Sequence, residues 1–195
     1  MTAQPTGPGA LPPWAPDPTR QRLADYTIED VLNMPADAPR VELGDGVLFV
    51  VPSPSHGHQR IGYLLCRWLD DNAPPEFEPS LAVGVAMNTK NTLEPDVVLL
   101  HRPVTMEHHF SEPEQVAVVV EIVSPSTKRR DRFEKPADYA AAGIKHYWRI
   151  EQSPVHVYAY DLGPNGSYQL VGDSDTELVL TAPFEIRLPI EAITP

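Results

Sequence analysis

The clearest hydrophobic pattern in the chain is the run Val-Ala-Val-Val-Val-Glu-Ile-Val at residues 116–123. A run that is apolar at odd and even positions alike is typical of a central β-strand covered on both faces. Between residues 55 and 71, the apolar side chains recur at three- and four-residue spacing, which predicts a half-buried helix. Residues 40–43 and 47–51 flank a Gly44-Asp45-Gly46 turn and predict a β-hairpin.

Shorter patterns predict the remaining elements. We expect a helix at residues 28–33 and a proline-rich loop at 72–79. A second long helix begins near residue 128 or 130 and ends at Gly143, and Pro136 lies either in the first turn of a helix that begins near Lys135 or at a kink. Strands are predicted at residues 81–87, 96–100, 146–151, 155–160, 168–171, 177–180 and 184–188. This order of helices and strands predicts an α/β fold, in which one domain contains a mixed β-sheet flanked by helices.

Composition sets the limits of that domain and excludes several classes of protein. The chain has 195 residues and 23 prolines, six of them within the first 18 residues, so residues 1–22 are expected to form a disordered proline-rich tail before a domain at 23–195. The single cysteine, Cys66, excludes an internal disulfide and a multi-cysteine zinc site, and it fits a cytoplasmic location. No apolar run approaches the roughly 20 residues that span a bilayer, so no membrane partner is expected.

Glu121 is the only charged residue in the strongest strand of the chain. A carboxylate inside a sheet covered on both faces costs several kcal/mol unless a cation, a metal ion or a raised pKa compensates it. Alternatively, the strand ends near Val120, and Glu121 faces water at its tip. Both interpretations are compatible with the position alone.

Asp96 stands at the start of another apolar run, Val97 to Leu100, and follows Glu94-Pro95. Proline at this point suits the entry of a strand, where no ladder N–H is required. Asp96 is then either an ordinary strand-capping residue or a second functional carboxylate. Two strands that each present a carboxylate could bind one hard divalent cation through oxygen ligands.

The segment that follows Glu121 is basic in a chain whose formal charge is −12. Residues 128–149 contain seven Lys and Arg side chains against three acidic ones, a net charge of +4. A local positive field suits a polyanionic partner even on an acidic protein. A solvated helix face with internal ion pairs would give the same pattern.

These features belong to a longer ordered set of residues. The set comprises Val41-Glu42-Leu43, Pro54-Ser55, His58-Gln59, Glu94-Pro95-Asp96, Val120 to Thr127, Asp131, Lys135, Tyr139, Gly143, Tyr147 and Trp148. With this order and spacing, the chain resembles the Uma2 family, which is classed as restriction-endonuclease-like within the PD-(D/E)XK nuclease superfamily. The resemblance runs from about Tyr26 to about Ile190 and implies a restriction-endonuclease-like fold.

The resemblance also implies roles for individual residues. Asp96 and Glu121 would bind Mg²⁺ or Mn²⁺, and Glu42 would add a third carboxylate. The superfamily lysine normally stands two residues after the second acid, where this chain has Val123. Lys135, on the following helix, would replace it, because a long lysine stem can return its ammonium to the adjacent strand end.

Three further residues would act around this centre. His58 and Tyr139 would support the metal-binding acids or contact a phosphate, and Arg130 would contact a phosphate as well. The function implied is a metal-dependent endonuclease that hydrolyses DNA phosphodiester bonds, as a homodimer. The alternative is a non-catalytic nucleic-acid-binding or regulatory module that retains a nuclease-like fold, because the strand lysine is missing and the chain is acidic overall.

Overall fold

The computed structural model of the chain describes residues 14–124 and 130–195, apart from the side chain of Asp131. The described residues divide into two compact units. The smaller unit is built from the chain up to Ser53 together with Asn88–Thr92, and the larger one from Pro54–Met87 together with Leu93–Pro195. The domain expected at residues 23–195 is thus distributed over both units.

The smaller unit contains two short helices and a hairpin, namely α1 (Pro18–Leu23), α2 (Ile28–Leu32), β1 (Val41–Gly44) and β2 (Val47–Val50). β1 and β2 pair antiparallel, as predicted, and their turn residues Asp45 and Gly46 both have positive φ, at 47° and 76°. Positive φ at both central positions gives a turn whose twist matches that of the strands.

Residues 18–22 were expected to belong to the tail, but they lie in α1. Asp17 caps this helix by accepting a hydrogen bond from the Thr19 backbone N–H at 2.7 Å. Pro18 fits at the first helical position because the N–H it lacks has no partner there in any helix. The rest of the expected tail, at residues 1–13, lies outside the described residues.

The later elements follow in chain order. They are α3 (His56–Asn72), β3 (Phe77–Leu81), β4 (Gly84–Asn88), β5 (Asn91–Leu93), β6 (Val97–His101), β7 (Phe110–Ser111), β8 (Val116–Ile122), α4 (Lys135–Ala141), β9 (His146–Gln152), β10 (Val155–Leu162), β11 (Tyr168–Ser174), β12 (Glu177–Leu180) and β13 (Ile186–Pro189).

A six-stranded sheet in the order β11-β10-β9-β8-β6-β3 forms the centre of the larger unit. The β8–β9 pair is parallel, and the other neighbours in this sheet are antiparallel. The sheet is therefore mixed and carries helices, which confirms the predicted fold class. β8 is interior, and all seven of its residues are buried, as its continuous apolar sequence predicts.

Alternation along β8 assigns its side chains to two separate cores. Val118, Val120 and Ile122 pack with residues of α3, including Leu65. Val119 packs on the opposite face, in the core that contains Tyr139 of α4. Because side chains alternate along a strand, Glu121 lies on the same face as Val119 and towards α4.

Two predicted segments differ from the structure. The segment 72–79, expected to be a loop, contains the start of β3, and the strand expected at 81–87 is replaced by β3 and β4. The basic helix begins as a wide turn at Arg130–Glu134 and becomes regular only in α4, where Pro136 lies in the first turn. Within residues 14–124 and 130–195, no helix is long and apolar enough to cross a membrane.

Candidate active site

Glu121 lies on β8 at the face of the sheet that α4 covers, and it is only 1% exposed. The Nζ of Lys135 donates to both Glu121 carboxylate oxygens at 3.0 Å, and the Tyr139 hydroxyl donates to Oε1 at 2.5 Å. Lys135 and Tyr139 are four residues apart, so they share one face of α4. Their expected roles stay predictions, whereas the interpretation that Glu121 faces water is wrong.

These contacts explain how a carboxylate can lie inside the sheet. The side chains of Lys135 and Glu121 are 8% and 2% exposed, so solvent scarcely screens the attraction between their charges. Charge-assisted hydrogen bonds from an ammonium and a hydroxyl offset the loss of hydration. Lys135 is therefore a buried counter-ion of Glu121, and the interpretation of the basic segment as a solvated helix face is wrong at this residue.

Asp96 stands next to Glu121 across the ladder. The register of β6 and β8 ends with Val97 opposite Val120, and Asp96 is the residue immediately before that pair. The Asp96 backbone N–H donates to the Val120 carbonyl at 3.0 Å, and Oδ2 of Asp96 accepts from the Ile122 N–H at 2.7 Å. The two carboxylates that the sequence singled out therefore lie at neighbouring positions of one sheet.

His58 reaches Asp96 from the first turn of α3. Its Nε2 lies 3.1 Å from Oδ2 of Asp96, and Ser55 caps the helix by accepting from the His58 backbone N–H at 3.3 Å. The Asp96 side chain is 19% exposed, about ten times more than that of Glu121. The centre is thus closed to solvent at Glu121 and more open at Asp96, where a substrate can approach.

Arg149 is a site residue that the sequence did not identify individually. It stands opposite Glu121 on the other neighbouring strand, β9, and its guanidinium lies 4.5 Å from the ring centroid of Tyr158. Its Nε is 3.5 Å from Oε1 of Glu151, and the same oxygen accepts from Nη2 of Arg132 at 2.7 Å. Only the parallel pairing of β8 with β9 brings Arg149 beside Glu121, and no local pattern reports that pairing.

Two further predicted site residues are Glu42 and Arg130. Glu42 is buried on β1 of the smaller unit, and Arg130 is a half-buried residue in the wide turn before α4. Their roles stay predictions. Tyr147 and Trp148 are 2% and 1% exposed, in agreement with the expectation that they pack in the core.

The donor set at Asp96 and Glu121 suits a hydrated divalent cation. In the part of the chain that the structure describes, no three His, Cys, Asp or Glu side chains are grouped to hold a metal ion. Mg²⁺, however, keeps several waters and is commonly held by one or two carboxylates. Asp96 and Glu121 are two hard oxygen ligands of the type that such an ion takes; His58 of α3 contacts Asp96, and Lys135 of α4 contacts Glu121.

Comparisons with known proteins identify the family and the fold of the chain. The Uma2 family, described as "Putative restriction endonuclease", matches residues 28–191. A crystal structure of "a putative nuclease belonging to DUF820" from Anabaena variabilis has a TM-score of 0.67 and 17% identity, and the match covers 86% of this chain and 97% of that protein. This identity establishes a shared fold and no more. Curated proteins give no match. The family match extends over most of the length of this chain, so the chain belongs to the Uma2 family.

Proposed function

We propose that the chain is a metal-dependent endonuclease that hydrolyses DNA phosphodiester bonds. The observation that carries this proposal is that Asp96 is hydrogen-bonded to both residues that flank Glu121, while the Lys135 ammonium lies 3.0 Å from the Glu121 carboxylate. The family description and the name of the structural neighbour both point to nuclease chemistry. A phosphodiester is an anion that is cleaved with help from cations, and this cluster collects an ammonium beside two carboxylates that can hold a divalent ion.

Asp96 and Glu121 are the proposed ligands of Mg²⁺ or Mn²⁺, and Glu42 is a proposed additional ligand. When bound, such an ion neutralises phosphate charge and lowers the pKa of a coordinated water. Hydrogen bonds from this chain's own residues fix the orientation of both carboxylates. The Ile122 N–H and His58 hold Asp96, and Tyr139 holds Glu121.

The remaining residues act on the substrate side of the centre. Lys135 balances the charge of Glu121, and its flexible stem allows the ammonium to turn towards a phosphate oxygen or the attacking water. His58 keeps the Asp96 carboxylate oriented from the more exposed side. Arg130 is the proposed phosphate contact at the start of the wide turn. The proposed assembly is a cytoplasmic homodimer, in which two centres cut two strands; sedimentation velocity tests the dimer.

Cleavage of supercoiled plasmid DNA tests the proposal. We expect nicking that requires Mg²⁺ or Mn²⁺ and is lost in Asp96→Asn, which keeps an acceptor for the Ile122 N–H but removes the charge. Lys135→Ala should lose activity as well. The matched controls are Asp71→Ala and Lys145→Ala, which alter exposed side chains of the same types. Equal nicking by the wild type and Asp96→Asn would refute the proposal.

One observation favours the alternative of a non-catalytic nucleic-acid-binding or regulatory module. Both carboxylate oxygens of Glu121 already accept hydrogen bonds from Lys135, and Oε1 also accepts one from Tyr139. A cation at Glu121 must compete with this buried ammonium. Titration calorimetry with Mn²⁺ separates the two functions, because the module would bind DNA while giving no heat with the metal.

A further inference from the structure

A cavity of about 380 Å³ lies between α4 and the six-stranded sheet, and the proposed hydrolysis does not use it. It is bounded by α4 on one side and by β9 and β10 on the other, and its volume is within the range of small-ligand pockets, about 300–1,000 Å³. The residues that matter for the argument are Arg132, Ala140, Tyr147, Arg149, Tyr160 and Tyr168.

One wall of the cavity is aromatic. The ring of Tyr147 stacks on that of Tyr160, with centroids 5.6 Å apart, and lies 5.4 Å from that of Tyr168. The Tyr168 hydroxyl donates to the Ile144 carbonyl at 2.7 Å, which fixes its ring. Burial raises the pKa of both Tyr160 and Tyr168, so this wall is uncharged at neutral pH. Tyr147 is only 2% exposed, so the half-buried Tyr160 and Tyr168 present the aromatic surface of this wall, and fixed aromatic rings favour a planar ligand.

The opposite wall is made of small side chains. Ala137, Ala140 and Ala141 of α4, together with Pro136, line the cavity. Alanine keeps the helix close to the tyrosines while leaving a shallow space between them. The two walls therefore form a slot that suits a planar group better than a branched one.

The arginines supply positive charge to the same cavity. Arg132 and Arg149 both line it, and they converge on a single carboxylate oxygen of Glu151, so two positive charges face one negative charge. The arginine side chains are 29% and 18% exposed. A second cavity, of about 490 Å³, shares both arginines and is lined by Phe133, which is 72% exposed. Guanidinium groups at a solvent-open position are suited to phosphate.

The cavity is connected to the candidate active site through the sheet and through a ring contact. Arg149 is the ladder partner of Glu121, and the Tyr139 ring, whose hydroxyl binds Glu121, lies 6.2 Å from the Tyr147 ring. Arg149 thus belongs both to the cavity lining and to the strand beside the one that bears Glu121.

We infer that this cavity binds one unstacked base of a nucleic-acid strand, with the adjoining phosphate on Arg132 and Arg149. The inference rests on the proposed function for the identity of the polymer. A base within an intact duplex is stacked and paired, so the slot accepts single-stranded or locally opened DNA.

Affinity measurements in EDTA test the inference without any cleavage. Fluorescence anisotropy compares a labelled oligothymidylate with a strand of equal length and charge whose residues are abasic, and with a duplex. Stacking of a base on aromatic rings predicts that the oligothymidylate binds about tenfold more tightly than the abasic strand. It should also bind more tightly than the duplex.

Two cavity-filling variants and two arginine variants test whether the difference in affinity arises in this cavity. Ala140→Leu should reduce affinity for oligothymidylate to that for the abasic strand and leave the latter unchanged. Ala141→Leu, at a more exposed position of the same wall, repeats the test if the first variant is unstable in thermal melts monitored by circular dichroism. Arg132→Ala should lower the affinity for both strands by a similar factor, while Arg67→Ala, at an exposed position, should leave both affinities unchanged.

Equal affinity for the abasic strand, or wild-type affinity in both leucine variants, would overturn the base site. Competition by free thymidine monophosphate as strong as that by the strand would replace it with a mononucleotide site. The result is independent of the nuclease proposal. Base-dependent binding without metal-dependent nicking would refute the nuclease proposal and support the base-binding site. Metal-dependent nicking without base-dependent binding would support the nuclease proposal and refute the base-binding site.

Discussion

The Lys135 ammonium contacts the buried Glu121 carboxylate at 3.0 Å, which makes Lys135→Met a demanding test of the site. At 3.0 Å and an effective dielectric constant of about 20, Coulomb attraction between the two charges is about 5–6 kcal/mol. Methionine has a similar length but carries no charge, so it removes the ammonium that donates to both Glu121 carboxylate oxygens. Because desolvation offsets part of the attraction, removing one partner of such a pair should cost about 3–5 kcal/mol.

That loss is large relative to the stability of an ordinary domain, about 5–15 kcal/mol. Urea unfolding followed by circular dichroism measures it. The control is Lys145→Met, an exposed lysine, which should change the free energy of unfolding by less than about 0.5 kcal/mol. In Glu121→Gln/Lys135→Met, no buried charge remains, and the Tyr139 hydroxyl can still donate to the amide oxygen.

The double variant should therefore be more stable than Lys135→Met, with a coupling energy of at least about 2 kcal/mol between the two sites. It should nevertheless be inactive in plasmid nicking, because both charges are gone. Additive single-variant effects below about 1 kcal/mol would refute the reasoning, since they would mean that Glu121 is hydrated in solution.

Three further predictions concern the fold. A hydrogen bond from Arg20 lowers the pKa of Asp30 from 3.8 to about 2. The pair should therefore stabilise the protein above pH 4, and this stabilisation should be lost as the pH falls towards 2. In Arg20→Gln, the midpoint of urea unfolding should fall less over that pH interval than in the wild type. Leu65→Ala, at a core position with 0% exposure, should cost about 2–5 kcal/mol in urea unfolding. Gly46→Ala would place a Cβ atom 2.1 Å from the Ala24 carbonyl oxygen at a φ of +76°. Gly143→Ala has a similar φ of +79°, but its Cβ would meet nothing within 4 Å. The melting temperature should therefore fall further in Gly46→Ala than in Gly143→Ala.

Elements with a strong period were predictable from sequence, and an edge strand was not. The apolar spacing of α3 and the continuous run of β8 each report burial directly, because their side chains meet the two cores. β3 was predicted as a loop because it contains Pro79. It lies at the edge of the six-stranded sheet and pairs only with β6 there, so the missing N–H of proline interrupts no second ladder.

Some residues of the candidate site could likewise be predicted from the sequence, and others could not. Glu121 could be found because a charge inside an apolar run requires compensation, and Asp96 because it precedes another such run. Arg149 could not be singled out, because its position beside Glu121 depends on the parallel pairing of two strands separated by α4. Its neighbours Arg132 and Glu151 are 19 residues apart and meet only after that pairing forms.

The place of the lysine follows from the geometry of the sheet rather than from sequence spacing. A side chain two residues after Glu121 shares its face, and in this chain that residue is Val123, whose N–H continues the ladder to the Ile150 carbonyl at 2.9 Å. The face of the sheet that bears Glu121 is also the face that α4 covers. A lysine on the inward side of α4 therefore enters the same space from the opposite layer, and Lys135 does so with its ammonium equidistant from both carboxylate oxygens. The proposed hydrolysis requires a positive charge on one face of β8, and either the strand or the helix packed against it can provide that charge.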